Sequence, residues 1–129
     1  MILAIDTIGS VSKIAILGDN FKDAKEWTAG KTQAEELLPN IDRLFKKNDV
    51  KISDLTKIAV NIGPGESFTG TRIGVSAANA LAYALKIPEV GIFEKDILEL
   101  AKKSSKIEGG RMVVPVYNRP PNITISKKK

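Results

Sequence analysis

The chain has 129 residues, of which 43% are hydrophobic and 27% are charged, a composition typical of one folded globular domain rather than of a disordered chain. It contains no cysteine and no histidine. Disulfides, thiolate metal sites and mechanisms built on a Ser-His-Asp or Cys-His pair are therefore excluded. The formal net charge is +5, but the last three residues, Lys127 to Lys129, supply three of the positive charges. We expect a solvated basic tail rather than a nucleic-acid-binding surface.

Three short strands are predicted at the start of the chain. Residues 2–6 form an apolar run that fits a buried strand, residues 11–17 form a second strand, and residues 21–28 form a more polar strand expected at a sheet edge. Glycine-containing turns separate them, which predicts an antiparallel meander. The first apolar run is too short to span a membrane and has no basic start, so we expect no signal peptide and a cytoplasmic protein.

A helical pattern follows the three strands. Thr32 is a candidate N-cap with Glu35 three residues later, the spacing of a capping box. Pro39 lies inside the pattern, so we expect a kink there or a helix that begins near residue 38. The apolar residues that recur on one helical face are Leu37, Leu38, Ile41, Leu44 and Phe45.

Strands and helices then alternate. The predicted elements are a strand at 57–62, a helix at 68–86, a strand at 90–93, a helix at 96–104 and a last strand at 111–117. We expect one domain over 1–117 and a short basic tail over 118–129. The order β-β-β-α-β-α-β-α-β argues for an α/β fold with helices packed on a mixed five-stranded sheet. This order resembles the ribonuclease H-like core of actin, sugar kinases and Hsp70-type ATPases.

Asp6 and Thr7 are the candidate nucleotide-binding residues. Asp6 ends the first strand and is followed by Thr7 and a glycine turn. A carboxylate in this position can hold Mg²⁺ and a phosphate, but it can also simply close a β-turn. A ribonuclease would need several carboxylates at the strand ends, and the fourth strand carries Asn61 there instead.

A glycine-rich stretch at 63–70, Gly-Pro-Gly-Glu-Ser-Phe-Thr-Gly, leads from the fourth strand into the second helix. Such a loop can present backbone N–H groups to an anion. However, it lacks the lysine of a P-loop, and Glu66 would repel a phosphate. The alternative, which we favour, is a tight strand-to-helix turn with Ser67 or Thr69 as the N-cap.

The second helix has a stripe of small residues and a stripe of bulky ones. A glycine inside a helix costs about 1 kcal/mol relative to alanine, so a close neighbour is expected at the small stripe. That neighbour is either the protein's own sheet or first helix, or a helix of another chain. In the second case, Gly74→Leu would block partner binding and leave the fold intact. The small stripe contains Gly70, Gly74, Ala77, Ala78 and Ala82, and the bulky one, expected in the core, contains Ile73, Leu81 and Leu85.

Three segments carry a resemblance to a known family. Residues 2–7 read Ile-Leu-Ala-Ile-Asp-Thr, residues 35–41 read Glu-Glu-Leu-Leu-Pro-Asn-Ile, and residues 61–82 contain the long block around Gly-Pro-Gly-Glu-Ser-Phe-Thr-Gly-Thr-Arg-Ile-Gly. Together they resemble the N-terminal half of the TsaB (YeaZ) family, bacterial partners in making threonylcarbamoyladenosine in transfer RNA. The resemblance implies an actin-like fold, no catalysis by the chain itself, no cofactor and no metal site.

The same resemblance implies partners. Members of the family pair with TsaD, the catalytic subunit, and TsaE, a small ATPase, joins them, so that tRNA is contacted indirectly. The first two helices of such proteins form the heterodimer contact and can also form a homodimer. Carried onto this chain, the implied contact residues are Leu37, Leu38, Ile41, Gly70, Ile73, Gly74 and Ala77.

The chain departs from the family pattern in three ways. Glu66 is inserted before Ser67, residues 31–34 contain no histidine where the family often has one, and the usual second half is missing. One half alone lacks the cleft in which actin-like ATPases hold nucleotide. We therefore expect a non-catalytic scaffold or activator of a TsaD-like enzyme. The alternatives are a small ATP-binding phosphotransferase and a homodimeric regulatory protein.

Overall fold

The computed structural model describes residues 1–28, 30–65 and 68–110. The predicted last strand at 111–117 and the tail at 118–129 lie outside these residues. The described strands are β1 (Ile2–Asp6), β2 (Val11–Leu17), β3 (Lys22–Thr28), β4 (Lys57–Asn61) and β5 (Glu89–Ile92). The described α-helices are α1 (Gln33–Lys47), α2 (Phe68–Leu85) and α3 (Ile97–Ser105), and short 3₁₀ helices lie at Gly30–Thr32 and Ile52–Asp54.

The five strands form one mixed sheet in the order β3-β2-β1-β4-β5. β1 pairs antiparallel with β2, and β2 pairs antiparallel with β3, which confirms the predicted meander. β4 pairs parallel with both β1 and β5. In this register Ala4 lies opposite Ala15 on one side and Ala59 on the other. The predicted α/β architecture is confirmed, with helices on both faces of the sheet.

One face of the sheet carries the larger core. Its strand residues are long aliphatic side chains on which α1 and α2 pack. Burying each large side chain of this kind contributes about 1.5–3 kcal/mol. The buried residues of this cluster are Leu3, Ile5, Ile14, Ile16, Leu37, Ile41, Leu44, Phe45, Leu55, Ile58, Val60, Val75, Ala78 and Ala82.

The opposite face is covered by α3. The sheet presents small side chains there, including Ala4, Ala15 and Ala59, and α3 packs Leu100 and Ala101 against them. Both ends of α3 are capped. At its start, Asp96 accepts hydrogen bonds from the N–H groups of Leu98 at 2.9 Å and Glu99 at 3.0 Å. At its end, the Lys57 ammonium donates to the carbonyls of Ser104 at 3.0 Å and Ile107 at 2.7 Å.

The start of α1 differs from the prediction. The helix begins at Gln33 and runs through Pro39, so the alternative of a start near residue 38 is wrong. Thr32 occupies the N-cap position, but its side chain makes no capping hydrogen bond, so the predicted capping box is also wrong. The first turns are held instead by tertiary packing of the buried face of α1, whose contribution exceeds the roughly 3 kcal/mol cost of an internal proline.

The bounds of α2 agree with the prediction. The helix begins at Phe68, which excludes Thr69 as its N-cap, while Ser67 lies outside the described residues. It ends before Lys86, which has a left-handed backbone conformation with φ of 58°. The N–H of Ile87 then donates to the carbonyl of Ala82 at 3.0 Å. This arrangement is typical of a helix C-terminus followed by a turn into the next strand.

Candidate functional site

The carboxyl ends of β1 and β4 meet at one edge of the sheet and bring Asp6 beside Asn61. Both side chains are buried. One Asp6 oxygen accepts a hydrogen bond from the N–H of Ile8 at 3.0 Å, and the other accepts one from the Asn61 amide at 3.1 Å. Asn61 also donates to the carbonyl of Glu94 at 2.7 Å and accepts from the N–H of Gly63 at 3.2 Å. Asp6 is therefore part of an internal network that joins β1, β4 and the loop after β5.

The electrostatics of Asp6 are dominated by its burial. Desolvation raises the pKa of its carboxyl group, and this effect exceeds the lowering by the hydrogen bonds from Ile8 and Asn61 and by the charge of Lys13. Within residues 1–28, 30–65 and 68–110, no three acidic, histidine or cysteine side chains are grouped so that they could hold a metal ion. Asp6 closes the turn after β1, as one of the two sequence interpretations expected.

Thr7, which follows β1, forms hydrogen bonds with residues of both α1 and α2. Its hydroxyl donates to the carbonyl of Gly70 and accepts from the N–H of Gly74 at 2.9 Å. The Gln33 amide donates to the carbonyl of Thr7 at 3.3 Å and to the hydroxyl of Ser12 at 2.7 Å. These polar groups satisfy one another inside the fold. Nucleotide binding by Asp6 and Thr7 stays a prediction.

The glycine-rich loop approaches the turn after β1 very closely. A Cβ atom at Gly65 would overlap the side chain and the carbonyl of Ile8. Gly63 has a left-handed backbone conformation, with φ of 84°, and donates its N–H to Asn61. Both glycines are therefore explained by a tight turn out of β4. Glu66, which we expected to repel a phosphate, lies outside the described residues.

Most of the small stripe of α2 is buried inside the protein, and Ala77 is its half-buried member. A Cβ atom at Gly74 would lie 2.5 Å from Thr7 Oγ1 and 3.3 Å from Ile5 Cγ2. Gly70, Ala78 and Ala82 are also buried. Thr7 and Ile5 therefore occupy the space beside Gly74, which favours the interpretation that this glycine serves the chain's own packing. Partner binding by Gly70 stays a prediction.

The implied partner residues divide between the core and the surface. Leu37 and Ile41 are 2% and 1% exposed and belong to the larger core. Ile73, expected in the core, is half-buried, as is Ala77. Leu38 is 55% exposed. The three residues that are not fully buried lie together. Leu38 is on α1, and Ile73 and Ala77 are on the side of α2 that faces it.

These surface residues line a groove of about 380 Å³ between the two helices, here called the α1–α2 groove. The family resemblance pointed to four of its lining residues, Leu37, Leu38, Ile73 and Ala77, and did not point to Ala34, Thr69, Arg72 or Ser76. Arg72 and Ser76 form part of its wall on α2. Their spacing of four residues along α2 places them on one face, and Ile73 and Ala77 repeat that spacing beside them. The groove is lined by Ala34, Leu37, Leu38, Thr69, Arg72, Ile73, Ser76 and Ala77.

Comparison with known proteins gives a consistent result. Residues 27–114 match the family described as TsaD: tRNA N6-adenosine threonylcarbamoyltransferase. The tRNA threonylcarbamoyladenosine biosynthesis protein TsaB of Bacillus subtilis strain 168 is 41% identical over 118 residues, covering 91% of this chain and 49% of that protein. TsaB of Escherichia coli K12 is 31% identical over 91 residues, covering 70% of this chain and 39% of that protein. The solved structure of YeaZ from Pseudomonas aeruginosa has a TM-score of 0.69 at 30% identity, covering 72% of this chain and 43% of that one.

The sheet order, the helices on both faces and these matches define an α/β protein of the actin-like, ribonuclease H-like class. The chain belongs to the TsaB (YeaZ) family, within the broader group that includes TsaD, and the resemblance inferred from sequence is confirmed. It spans 39–49% of the length of the two curated relatives described above. None of the helices in the described residues has the length and hydropathy of a membrane span.

Proposed function

We propose that the chain is a non-catalytic scaffold or activator in the biosynthesis of tRNA threonylcarbamoyladenosine. In this proposal it binds a TsaD-like catalytic subunit through the α1–α2 groove. The process is supported by the B. subtilis and E. coli relatives, which carry the name of that pathway. The mode of action is supported by the groove itself, a largely apolar depression between two helices that is open among the residues that the structure describes.

The groove has the features of a helix-binding surface. Leu38 is 55% exposed on α1 and lies across from the half-buried Ile73 and Ala77 on α2. An exposed apolar side chain next to an apolar depression gains free energy when a partner covers both. Arg72, exposed at the same groove, adds a positive charge that favours an acidic residue on the partner.

The absence of catalysis is supported by what Asp6 and Thr7 already do. Both oxygens of Asp6 accept internal hydrogen bonds, and the Thr7 hydroxyl both donates and accepts inside the fold. Both residues are also buried, at 3% and 1% exposure, so Mg²⁺ or phosphate would reach them only if the packing around the end of β1 opened. In the proposal, catalysis belongs to the TsaD-like partner. A TsaE-like ATPase joins the wider complex, and tRNA contacts this chain indirectly.

The test is the formation of threonylcarbamoyladenosine by the TsaD-like subunit of the same organism together with the other components. We expect product with the wild-type chain and with Ile52→Asp, a matched control at an apolar residue that is 42% exposed and lies outside the groove. We expect little product when the chain is omitted or carries Leu38→Asp. Asp6→Asn is expected to retain activity.

Two results would contradict this proposal. The first is full activity in the absence of the chain. The second is ATP hydrolysis by the isolated chain that is lost in Asp6→Asn, which would instead support the phosphotransferase alternative.

A further inference from the structure

The outer edge of β3 is open among the residues that the structure describes. β3 is the first strand in the sheet order β3-β2-β1-β4-β5, and it pairs with β2 on its inner side. The strand has seven residues, none of which lines the α1–α2 groove. An edge strand of this length leaves backbone N–H and C=O groups available to a strand of another molecule.

The hairpin between β2 and β3 determines which residues turn their backbone groups outward. The N–H of Gly18 donates to the carbonyl of Phe21 at 2.9 Å, so these two residues form a hydrogen-bonded pair at the end of the ladder. Hydrogen-bonded pairs alternate with non-hydrogen-bonded pairs along antiparallel strands. Every second residue of β3 therefore directs its N–H and C=O away from β2, and these residues are Lys22, Ala24, Glu26 and Thr28.

The hydrogen bonds around Ala24 agree with this direction. The N–H of Ala24 donates to Oδ1 of the preceding residue, Asp23, at 2.9 Å. The second oxygen of Asp23 accepts from the Asn48 amide and from the Lys47 ammonium, each at 3.0 Å. A strand added at this edge would take over the N–H of Ala24 and leave Asp23 Oδ1 available to a cation.

The charges along β3 are complementary to themselves in one antiparallel register. When two copies pair about a two-fold axis at Ala24, Lys22 of each copy lies opposite Glu26 of the other. In the same register Asp23 of each copy lies opposite Lys25 of the other. Each pair occurs twice, and opposite charges directly across two strands stabilise their pairing. The adjacent registers, centred on Asp23 or on Lys25, would instead place two like charges opposite each other.

We propose that β3 pairs antiparallel with β3 of a second copy of the chain, in the register centred on Ala24, so that the two five-stranded sheets become continuous. The N–H of Ala24 in each copy then donates to the carbonyl of Ala24 in the other. Asp23 Oδ1 accepts from the Lys25 ammonium across the axis. Phe21, which is 37% exposed, comes opposite the half-buried Trp27 and adds an aromatic pair at each end.

The charged edge also limits the choice of partner. Charges on an edge strand oppose its pairing with most other strands, whereas a second copy of β3 supplies the matching charge at each position. One pair of short strands is a small contact, which is typical of weak association. We therefore expect monomers in dilute solution and dimers at protein concentrations of about 0.1–1 mM.

Charge reversal in the full chain tests both the edge and the register. Lys22→Glu and Glu26→Lys are at exposed positions of β3, and each turns both of the pairs between these residues into like-charge pairs. Each should raise the dimer dissociation constant about tenfold or more, measured by sedimentation equilibrium. An equimolar mixture of the two variants should form a heterodimer within about threefold of the wild-type affinity, because every pair again combines opposite charges.

Two control variants exclude other causes. Lys51→Glu makes the same change in net charge at an exposed residue outside β3 and should dimerise like wild type. Leu38→Asp, in the α1–α2 groove, should also dimerise like wild type, which separates this inference from the proposed function.

Three results would overturn the proposal. The first is a wild-type chain that stays monomeric at about 1 mM. The second is a dimer that Lys22→Glu and Glu26→Lys do not weaken, or that their mixture does not restore. The third is a dimer lost in Leu38→Asp and kept in Lys22→Glu, which would assign the homodimer contact to the α1–α2 groove.

Discussion

The hydroxyl of Thr7 accepts a hydrogen bond from the backbone N–H of Gly74 at 2.9 Å, across a separation of 67 residues. The bond exists because α2 comes so close to the end of β1 that there is no room for a side chain at residue 74. The same hydroxyl donates to Gly70, one turn earlier in α2. The glycines of this helix therefore serve the internal packing of the chain on its own sheet.

Gly74→Leu is predicted to destabilise the fold rather than to leave it intact. A leucine side chain would displace Thr7 and Ile5 from a packed core, and overpacking of this kind costs about 1–3 kcal/mol. The gain of about 1 kcal/mol in helix propensity offsets only part of this cost. Urea denaturation followed by circular dichroism measures the difference.

The matched control for this prediction is Ala80→Leu, at an exposed position of the same helix. It should change the free energy of unfolding by no more than about 0.5 kcal/mol. Equal stability of Gly74→Leu and Ala80→Leu would contradict the close packing of α2 on β1.

The sequence was sufficient to predict the order of the five described strands and three described α-helices and the mixed sheet, because both follow from alternation, turn residues and local helical spacing. It was not sufficient to decide which surface the small stripe of α2 meets. A stripe of glycine and alanine suits the chain's own sheet and a foreign helix equally well, and the choice depends on the distance between β1 and α2. That distance results from packing between residues far apart in the chain, and it cannot be predicted from the local spacing of residue types.

The start of α1 and the role of Asp6 show the same limitation. The spacing of Thr32 and Glu35 fits a capping box, yet the helix start is held by burial of Leu37 and Ile41 on the sheet. The position of Asp6 at a strand end could be predicted, but its bond to Asn61 could not. That contact depends on β1 and β4 being neighbours in parallel.

Asp6→Asn is predicted to change how stability depends on pH. Burial raises the pKa of Asp6 in the folded state above that in the unfolded chain. The folded state therefore holds the proton of Asp6 more tightly than the unfolded chain does. The stabilisation that results is fully present below the unfolded pKa of about 3.9, and it is lost as the pH rises through the raised pKa of the folded state. The free energy of unfolding of Asp6→Asn relative to wild type should thus rise with pH above about 4. Urea titrations between pH 3.5 and 7 measure it, and a flat difference would contradict the account.

Asp23→Asn is the control, because its stability relative to wild type should change with pH in the opposite direction to that of Asp6→Asn. Hydrogen bonds from Asn48 and Lys47 lower the pKa of the Asp23 carboxyl group. The ionised Asp23 side chain therefore stabilises the fold above the unfolded pKa, and this stabilisation is lost as the pH falls through the lower pKa of the folded state. Asp23→Asn should therefore lose stability relative to wild type as pH rises toward the unfolded pKa of about 3.9, and the difference should be constant well above that pH. The effect will be small because the ion pair with Lys47 lies near the surface.

Lys57→Met is predicted to loosen α3. The Lys57 ammonium donates to two carbonyls at the end of this helix, those of Ser104 and Ile107. Methionine keeps the apolar stem and removes both charge-assisted bonds, which should cost about 1–3 kcal/mol. Hydrogen exchange should accelerate in Ile97–Ser105 and not in β3. Lys106→Met, an exposed lysine just beyond α3, is the control and should exchange like wild type.

Leu38→Asp is predicted to leave the isolated chain as stable as wild type, within about 0.5 kcal/mol, because the side chain is exposed. Thermal unfolding measures this. A large loss of stability would show that Leu38 supports the fold, and its effect on any complex would then carry no information about the groove.

Light scattering after size-exclusion chromatography, on the chain mixed with the TsaD-like protein of its own organism, tests the central claim most directly. The account predicts a one-to-one heterodimer for the wild-type chain and for Ile52→Asp, and separate proteins for Leu38→Asp. No heterodimer with the wild-type chain, or an undiminished heterodimer with Leu38→Asp, would contradict it. If the wild-type chain formed only a homodimer that Leu38→Asp disrupts, the α1–α2 groove would serve the homodimeric alternative instead.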